Sequence, residues 1–301
     1  MPPDPPAIIS TPPDPRWKVL ARASRPTLNY WMETEVHVHS FSIAANVLLS
    51  FFPLLIVIFS ACRYLLGWRG AMGAVGFVLD DYFPGDLGSH ETMVGFIRDN
   101  LLAAVESRGA LQIFSLLLLL FTANGIFEPM EIALNRVWGI PKNRSFLKNQ
   151  LVSLGLIFVC GSLALTSTIL TGISLKHLGT ASLLARILEL VLFKMAALPV
   201  SILMLFLIYW LLPNARIPWR SVLPQAILVG IALEVLKYLN LLTWPLLSRK
   251  LKAEYGPFYR SVTIILWSFL GAMVILAGAE WAARRARQQA EAASTIASPD
   301  A

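Results

Sequence analysis

Six apolar runs, each close to the roughly 20 residues that cross a bilayer core, dominate this chain. They lie at about Ser40–Cys62, Leu111–Phe127, Gln150–Leu175, Ile187–Leu212, Val222–Trp244 and Phe258–Ala283. Hydrocarbon offers backbone N–H and C=O groups no partners, so a spanning segment must close its hydrogen bonds within a helix or a closed barrel. The alternating ten-residue pattern of barrel strands is absent, which leaves helices. Only 14% of the residues are charged, against about 25% in soluble domains. The expected fold is an all-α polytopic membrane protein, one bundle of six transmembrane helices over residues 40–283.

The flanks fit that frame. In residues 1–39, Met1–Pro15 is proline-rich and lacks the basic start and cleavage site of a secretory signal, so it reads as a disordered lead. Arg16–Glu35 mixes Trp17, Leu20, Leu28 and Trp31 with Arg16, Lys18, Arg22 and Arg25. That is the composition of a helix lying on an anionic membrane surface, interrupted at Pro26. Residues 284–301 open with Arg284, Arg285 and Arg287 and fade into a small polar tail. Basic residues flanking the runs place both termini in the cytoplasm, the dense set Arg136, Lys142, Arg144 and Lys148 deciding the assignment. The long first outer loop, Arg63–Ala110, holds two amphipathic stretches, Ala71–Leu79 and Thr92–Val105, about a turn at Asp80–Asp86. Both are expected as short surface helices, a re-entrant Ala71–Gly76 being the alternative.

Within the fifth run, Glu234 and Lys237 stand three residues apart among apolar neighbours. An ionisable residue at that depth costs roughly 2.5–3.5 kcal/mol on insertion scales, so it faces protein or a hydrated cavity and marks a candidate site. Ala226, Gly230, Glu234 and Lys237 step by four, four and three, which puts small residues and charges on one helix face. Hydroxyls crowd the outer half of the third run, from Ser162 to Ser174, and are expected to bond across helices.

Other chemistries find little support. His37 and His39 are the only close histidine pair and lack the third ligand of a catalytic zinc site. No Walker loop, dinucleotide glycine fingerprint or nucleophile elbow occurs, so no enzyme activity and no cofactor are expected. The net charge of +7 is spent on membrane flanks, and no soluble segment is large enough for a nucleic-acid surface. Cys62 and Cys160 both fall in apolar runs and imply no disulfide.

Four local patterns carry a family resemblance. They are Leu48-Leu49-Ser50-Phe51-Phe52-Pro53-Leu54-Leu55, then Glu131-Ile132-Ala133-Leu134-Asn135-Arg136-Val137-Trp138, then Tyr209-Trp210 through Pro213-Asn214 to Pro218-Trp219-Arg220. The last is the ordered set Glu234-x-x-Lys237, Tyr255-Gly256, Leu266-Trp267 and Gly278-Ala279-Glu280. From Ser40 to Glu280 the chain resembles the YihY/BrkB family of bacterial inner-membrane proteins. It departs from the family at Ala45-Asn46, where relatives commonly carry a tyrosine, and at Pro257-Phe258-Tyr259. The resemblance implies a multipass envelope protein associated with envelope integrity and, in some relatives, serum resistance. The family's old ribonuclease BN label finds no metal-binding constellation here.

The candidate intramembrane polar site is therefore Glu234 and Lys237, with Asn46 in the place of the family tyrosine and Glu131 and Asn135 completing the hydrogen bonds. Two readings stay open. The pair neutralises itself and locks a scaffold, or it lines a cavity for a lipid or another anionic or polar molecule, Lys237 meeting the anion. Arg249, Lys250 and Lys252 are the candidate contacts to anionic headgroups. The expected partners are membrane lipids and either a second copy or another envelope protein.

Overall fold

The computed structural model describes residues 25–82, 110–141, 144–178 and 198–297. Among them every regular element is helical. After a short helix over 25–31 come α1 (Thr34–Tyr82), α2 (Ala110–Val137), α3 (Phe146–Leu178), α4 (Leu198–Leu211), α5 (Trp219–Tyr255) and α6 (Tyr259–Ala297). Each apolar run lies on one of these helices, the fourth in its described part only. Met1–Pro15, Thr92–Val105, most of the Asp80–Asp86 turn, the start of the fourth run and residues 298–301 lie outside the described residues. Glu35–Phe59 and the continuous α5–α6 stretch Trp219–Glu291 are long and apolar enough to cross a bilayer, while Leu147–Leu163 and Leu198–Leu211 are shorter apolar helices.

Pro26 sits in the first turn of the 25–31 helix, where its missing N–H would have had no partner anyway, and Arg16–Ser24 lie outside the described residues. Ala71–Leu79 is helical: it lies on the segment of α1 that runs to Tyr82 beyond a break at Gly67 (φ 72°, ψ 175°). Glycine alone tolerates that backbone conformation without a Cβ clash.

The chain reverses tightly between helices. α2 ends in a Schellman motif: the Gly139 N–H bonds the Arg136 carbonyl at 3.0 Å and the Ile140 N–H bonds the Asn135 carbonyl at 2.8 Å, with Gly139 at φ 68°. Between α5 and α6, Gly256 (φ 53°, ψ −127°) and Pro257 turn the chain through a single 3₁₀ turn. These reversals gather Thr27, Val137, Arg144, Leu212 and Arg284 at one end of the bundle. Arg284 Nη2 reaches Thr27 Oγ1 (2.8 Å), Arg287 Nη2 reaches the Val137 carbonyl (3.2 Å), and Trp31 Nε1 donates to the Met273 carbonyl (3.0 Å). The first and last described helices thus share an end.

α1 packs against α2, α3 and α6, and α5 against α6. The core joins Leu134, Leu156, Tyr209, Leu212, Val222, Val229 and Ala279. Without a hydrophobic force between helices in lipid, close approach depends on small residues, and α6 supplies Ala272, Ala279, Ala282 and Ala283, all buried. On α5, Leu223, Ile227, Leu228, Ile231, Val235, Leu242 and Leu246 are exposed. A stripe that large suits a lipid solvent rather than water.

Gly278 marks a tight crossing, since a methyl there would overlap Val229 of α5. A Gly278→Ala variant is expected to lose about 1–3 kcal/mol by overpacking, read as earlier loss of monodisperse protein on heating in detergent. Gly155 of α3 has nothing within 4 Å of its would-be Cβ. Gly155→Ala is therefore expected to be neutral or to gain up to about 1 kcal/mol.

Candidate functional site

The fifth helix brings its charges to a cavity. Glu234 stands about 22 Å along α5 from Trp219 at 1.5 Å rise per residue, and Lys237 Nζ lies 2.6 Å from Glu234 Oε1. Small residues on the same face let neighbours close in, and a methyl on Gly230 would sit 2.7 Å from Ile202 Cγ1 of α4. A cavity of about 440 Å³ opens between α1, α4, α5 and α6, with Val47, Phe51, Leu54, Leu55 and Ile58 forming its α1 wall. Its polar corner consists of Glu234, Lys237 and Asn240 from α5, Ser201 from α4, and Trp267 and Ser268 from α6. Such a volume, mostly apolar with a few converging polar groups, is the form of a small-molecule pocket.

The ion pair is presented unevenly. The Lys237 side chain is 12% exposed and that of Glu234 is 34% exposed. The carboxylate is the more accessible charge, backed by the ammonium. The buried Trp267 indole N–H has no hydrogen-bond partner among the described residues. An occupant therefore meets one strong acceptor, the Glu234 carboxylate, within a mostly apolar wall.

Glu131 and Asn135 do not join that pair. Both are buried near the shared end of the bundle (2% and 1% exposed). Glu131 Oε1 accepts from Asn135 Nδ2 (3.3 Å) and from the Arg144 backbone N–H (3.3 Å), while Asn135 Oδ1 accepts from the Asn214 N–H (2.7 Å). The Arg144 guanidinium then caps the end of α4, reaching the carbonyls of Leu211 (3.0 Å), Leu212 (2.9 Å) and Pro213 (2.9 Å). This clasp ties α2, α3 and the α4–α5 turn together. Arg136, one turn further along α2, pairs with Glu35 on α1.

Asn46 occupies a third place. Its Nδ2 donates to the Ser42 carbonyl (2.9 Å) and its side chain fills the space a Cβ at Gly125 would need. One turn on, Ser50 Oγ lies 2.7 Å from both the Asn46 carbonyl and Thr122 Oγ1. Asn46 faces a shallow groove with His39, Ser42 and Glu128, not the cavity at Glu234. The predicted single site is thus three.

Among the third-run hydroxyls Thr166 differs from expectation, while the side chains from Ser167 to Ser174 lie outside the described residues. Thr166 Oγ1 donates to the Ser162 carbonyl of its own helix (2.8 Å); a back-bond satisfies an exposed hydroxyl without any neighbour. At the far end of α5, Lys250 lies 3.9 Å from Glu254, and Lys252 and Arg260 each stand 5.2 Å from the Tyr259 ring. At the shared end, Glu280 accepts from Thr27 Oγ1 (3.0 Å) beside Arg284. Burial, with Glu33 and Glu280 adding to it, pushes the Tyr30 phenol well above its ordinary pKa. Arg144 and Trp267 are the site residues that sequence reasoning missed. The one signal for Arg144 was its position directly before a helix that returns beside α2.

Helices with apolar exposed stripes around a half-buried ion pair and an apolar cavity define a helical membrane protein. The comparisons specify the class. A UPF0761 membrane protein of Pseudoalteromonas translucida is 25% identical over 266 residues, covering 84% of this chain and 82% of its own. One of Chlorobium luteolum is 27% identical over 255 residues, 79% of this chain and 54% of its own, so this chain spans about half of that relative. YfkH of Bacillus subtilis, named as ribonuclease-like, is 26% identical over 253 residues, 80% of this chain and 86% of its own. No solved structure matches. The model of the virulence factor BrkB family matches residues 27–300, and the chain belongs to that family.

Proposed function

We propose that the protein binds and handles a lipid, or another amphipathic molecule with a polar head, in the cavity between α1, α4, α5 and α6. It does so in the bacterial inner membrane, with both described ends cytoplasmic, and supports envelope integrity by this route. The observation that carries the reading is the Glu234–Lys237 pair on the wall of a 440 Å³ apolar cavity. Glu234 accepts from a hydroxyl or ammonium of the occupant, Lys237 pairs with the carboxylate from behind, and the apolar wall takes the chain. No chemical step is assigned.

Gly271 provides the test, because it lines the cavity and its would-be Cβ meets only Leu233 Cδ2, at 3.9 Å. Gly271→Leu fills space without displacing backbone. In a strain whose envelope defect the wild-type gene repairs, this variant is expected to reach the membrane in normal amount and fail to complement. Full complementation by folded Gly271→Leu protein would remove the cavity from the reading.

A scaffold with no transported substrate is the second reading, favoured by the 2.6 Å pair whose charges cancel. It expects Gly271→Leu to complement. Ribonuclease activity enters only through the name of the Bacillus relative. Metal-dependent RNA cleavage by the purified protein, lost on replacing His37 and His39, would establish it.

A further inference from the structure

The basic residues expected to meet anionic headgroups, Lys250 and Lys252, already face Glu254 and Tyr259. At the opposite end of α5 the situation differs. Arg220 and Arg285, one from each of two neighbouring helices, flank a pocket of about 130 Å³ that also includes Ser221, Trp281 and Gln289. That is several times the roughly 10–15 Å³ needed to admit one water. No carboxylate lines the pocket. Both guanidiniums are exposed, and each rests on an aromatic ring, Arg220 at 5.5 Å over Trp219 and Arg285 at 5.4 Å over Trp281. Neither has a hydrogen-bonded or ion-paired partner among the described residues.

An arginine lying on an indole ring keeps its N–H edge available, and that edge matches phosphate oxygens. Two such edges from different helices suit a tetrahedral phosphoryl group better than a planar carboxylate. The Ser221 hydroxyl and Gln289 amide add neutral donors. Tryptophans at 219 and 281 set this pocket at headgroup depth.

We propose that Arg220 and Arg285 form a phosphoryl-binding site at the membrane interface, on the same end of the bundle as the first and last described helices. It is separate from the Glu234 cavity, about 21 Å away along α5. The phosphoryl group belongs either to a lipid headgroup or to a free phosphate.

Native mass spectrometry of the full chain from detergent, with dioctanoyl-phosphatidylglycerol added, tests this. Arg220→Gln/Arg285→Gln is expected to retain about tenfold less of that lipid than wild type. Arg249→Gln/Lys250→Gln is expected to retain it normally, and dioctanoylglycerol, which lacks the phosphoryl group, should be retained by neither. Arg220→Lys/Arg285→Lys, with its charge intact, should recover part of the binding and so shows that the loss is not misfolding. Lipid retained against excess inorganic phosphate assigns the site to a headgroup; displacement by inorganic phosphate assigns it to the free anion. Equal lipid retention by wild type and Arg220→Gln/Arg285→Gln, or an equal loss in the Arg249/Lys250 variant, would overturn the site.

Discussion

Replacing Arg144 with alanine is expected to cost about 3–5 kcal/mol of stability. The guanidinium makes three bonds of 2.9–3.0 Å to the carbonyls that end α4. A hydrogen bond to a charged group contributes roughly 1.5–3 kcal/mol, and the buried Leu212 and Pro213 carbonyls would be left without it. The sum falls short of three full bonds because water reaches the Leu211 carbonyl, which lies at the exposed edge. Arg144→Lys retains the charge but offers no planar fork to three acceptors, and should recover less than half of the loss. Unfolding in mixed micelles with rising SDS, followed by tryptophan fluorescence, measures both. A wild-type midpoint for Arg144→Ala would mean that the clasp does not hold α4.

Lys237→Ala is expected to abolish complementation of the envelope defect while membrane-inserted protein persists. Removing the ammonium strands the Glu234 carboxylate against an apolar wall. Breaking a fully enclosed pair costs about 3–5 kcal/mol; with Glu234 open to the cavity, we expect about 1–3. Glu234→Gln/Lys237→Met removes both charges at similar volume and should restore stability. It separates the two roles. If the pair only locks the bundle, the double variant regains complementation together with stability; if the carboxylate meets an occupant, it regains stability alone. Comparing the SDS midpoints of wild type, both single variants and the double variant gives the coupling directly.

The α5 face illustrates how much was legible. Ala226, Gly230, Glu234 and Lys237 lie on one face by helical period alone, and the structure puts α4 against Gly230 and the cavity against the charges. Periodicity gives direction around a helix axis. It does not identify the neighbour on that side, and this is where Glu131, Asn135 and Asn46 were misassigned. All three are polar residues in apolar helices, which a sequence can recognise. Their separation into a clasp, a groove wall and a cavity depends on which helix ends meet. Arg144 was counted as a flanking charge because its reach to α4, 67–69 residues away, exists only after α2, α3 and the α4–α5 turn have come together. At the far end of α5 the charges of Lys250 and Lys252 are legible in the sequence, whereas their neighbours Glu254 and Tyr259 are decided by the fold.

What this chain settles by itself is its solvent. Apolar runs of about 20 residues leave the backbone no choice but helices in lipid, and the rarity of charge makes Glu234 and Lys237 conspicuous. The tertiary structure alone decides which polar residues share a space, because in lipid the contacts between helices depend on local shape, small residues and buried donors rather than on hydrophobicity. Shape at Gly230 and Gly271 opens one cavity beside the ion pair, and the folded arrangement of helix ends builds the clasp around Arg144.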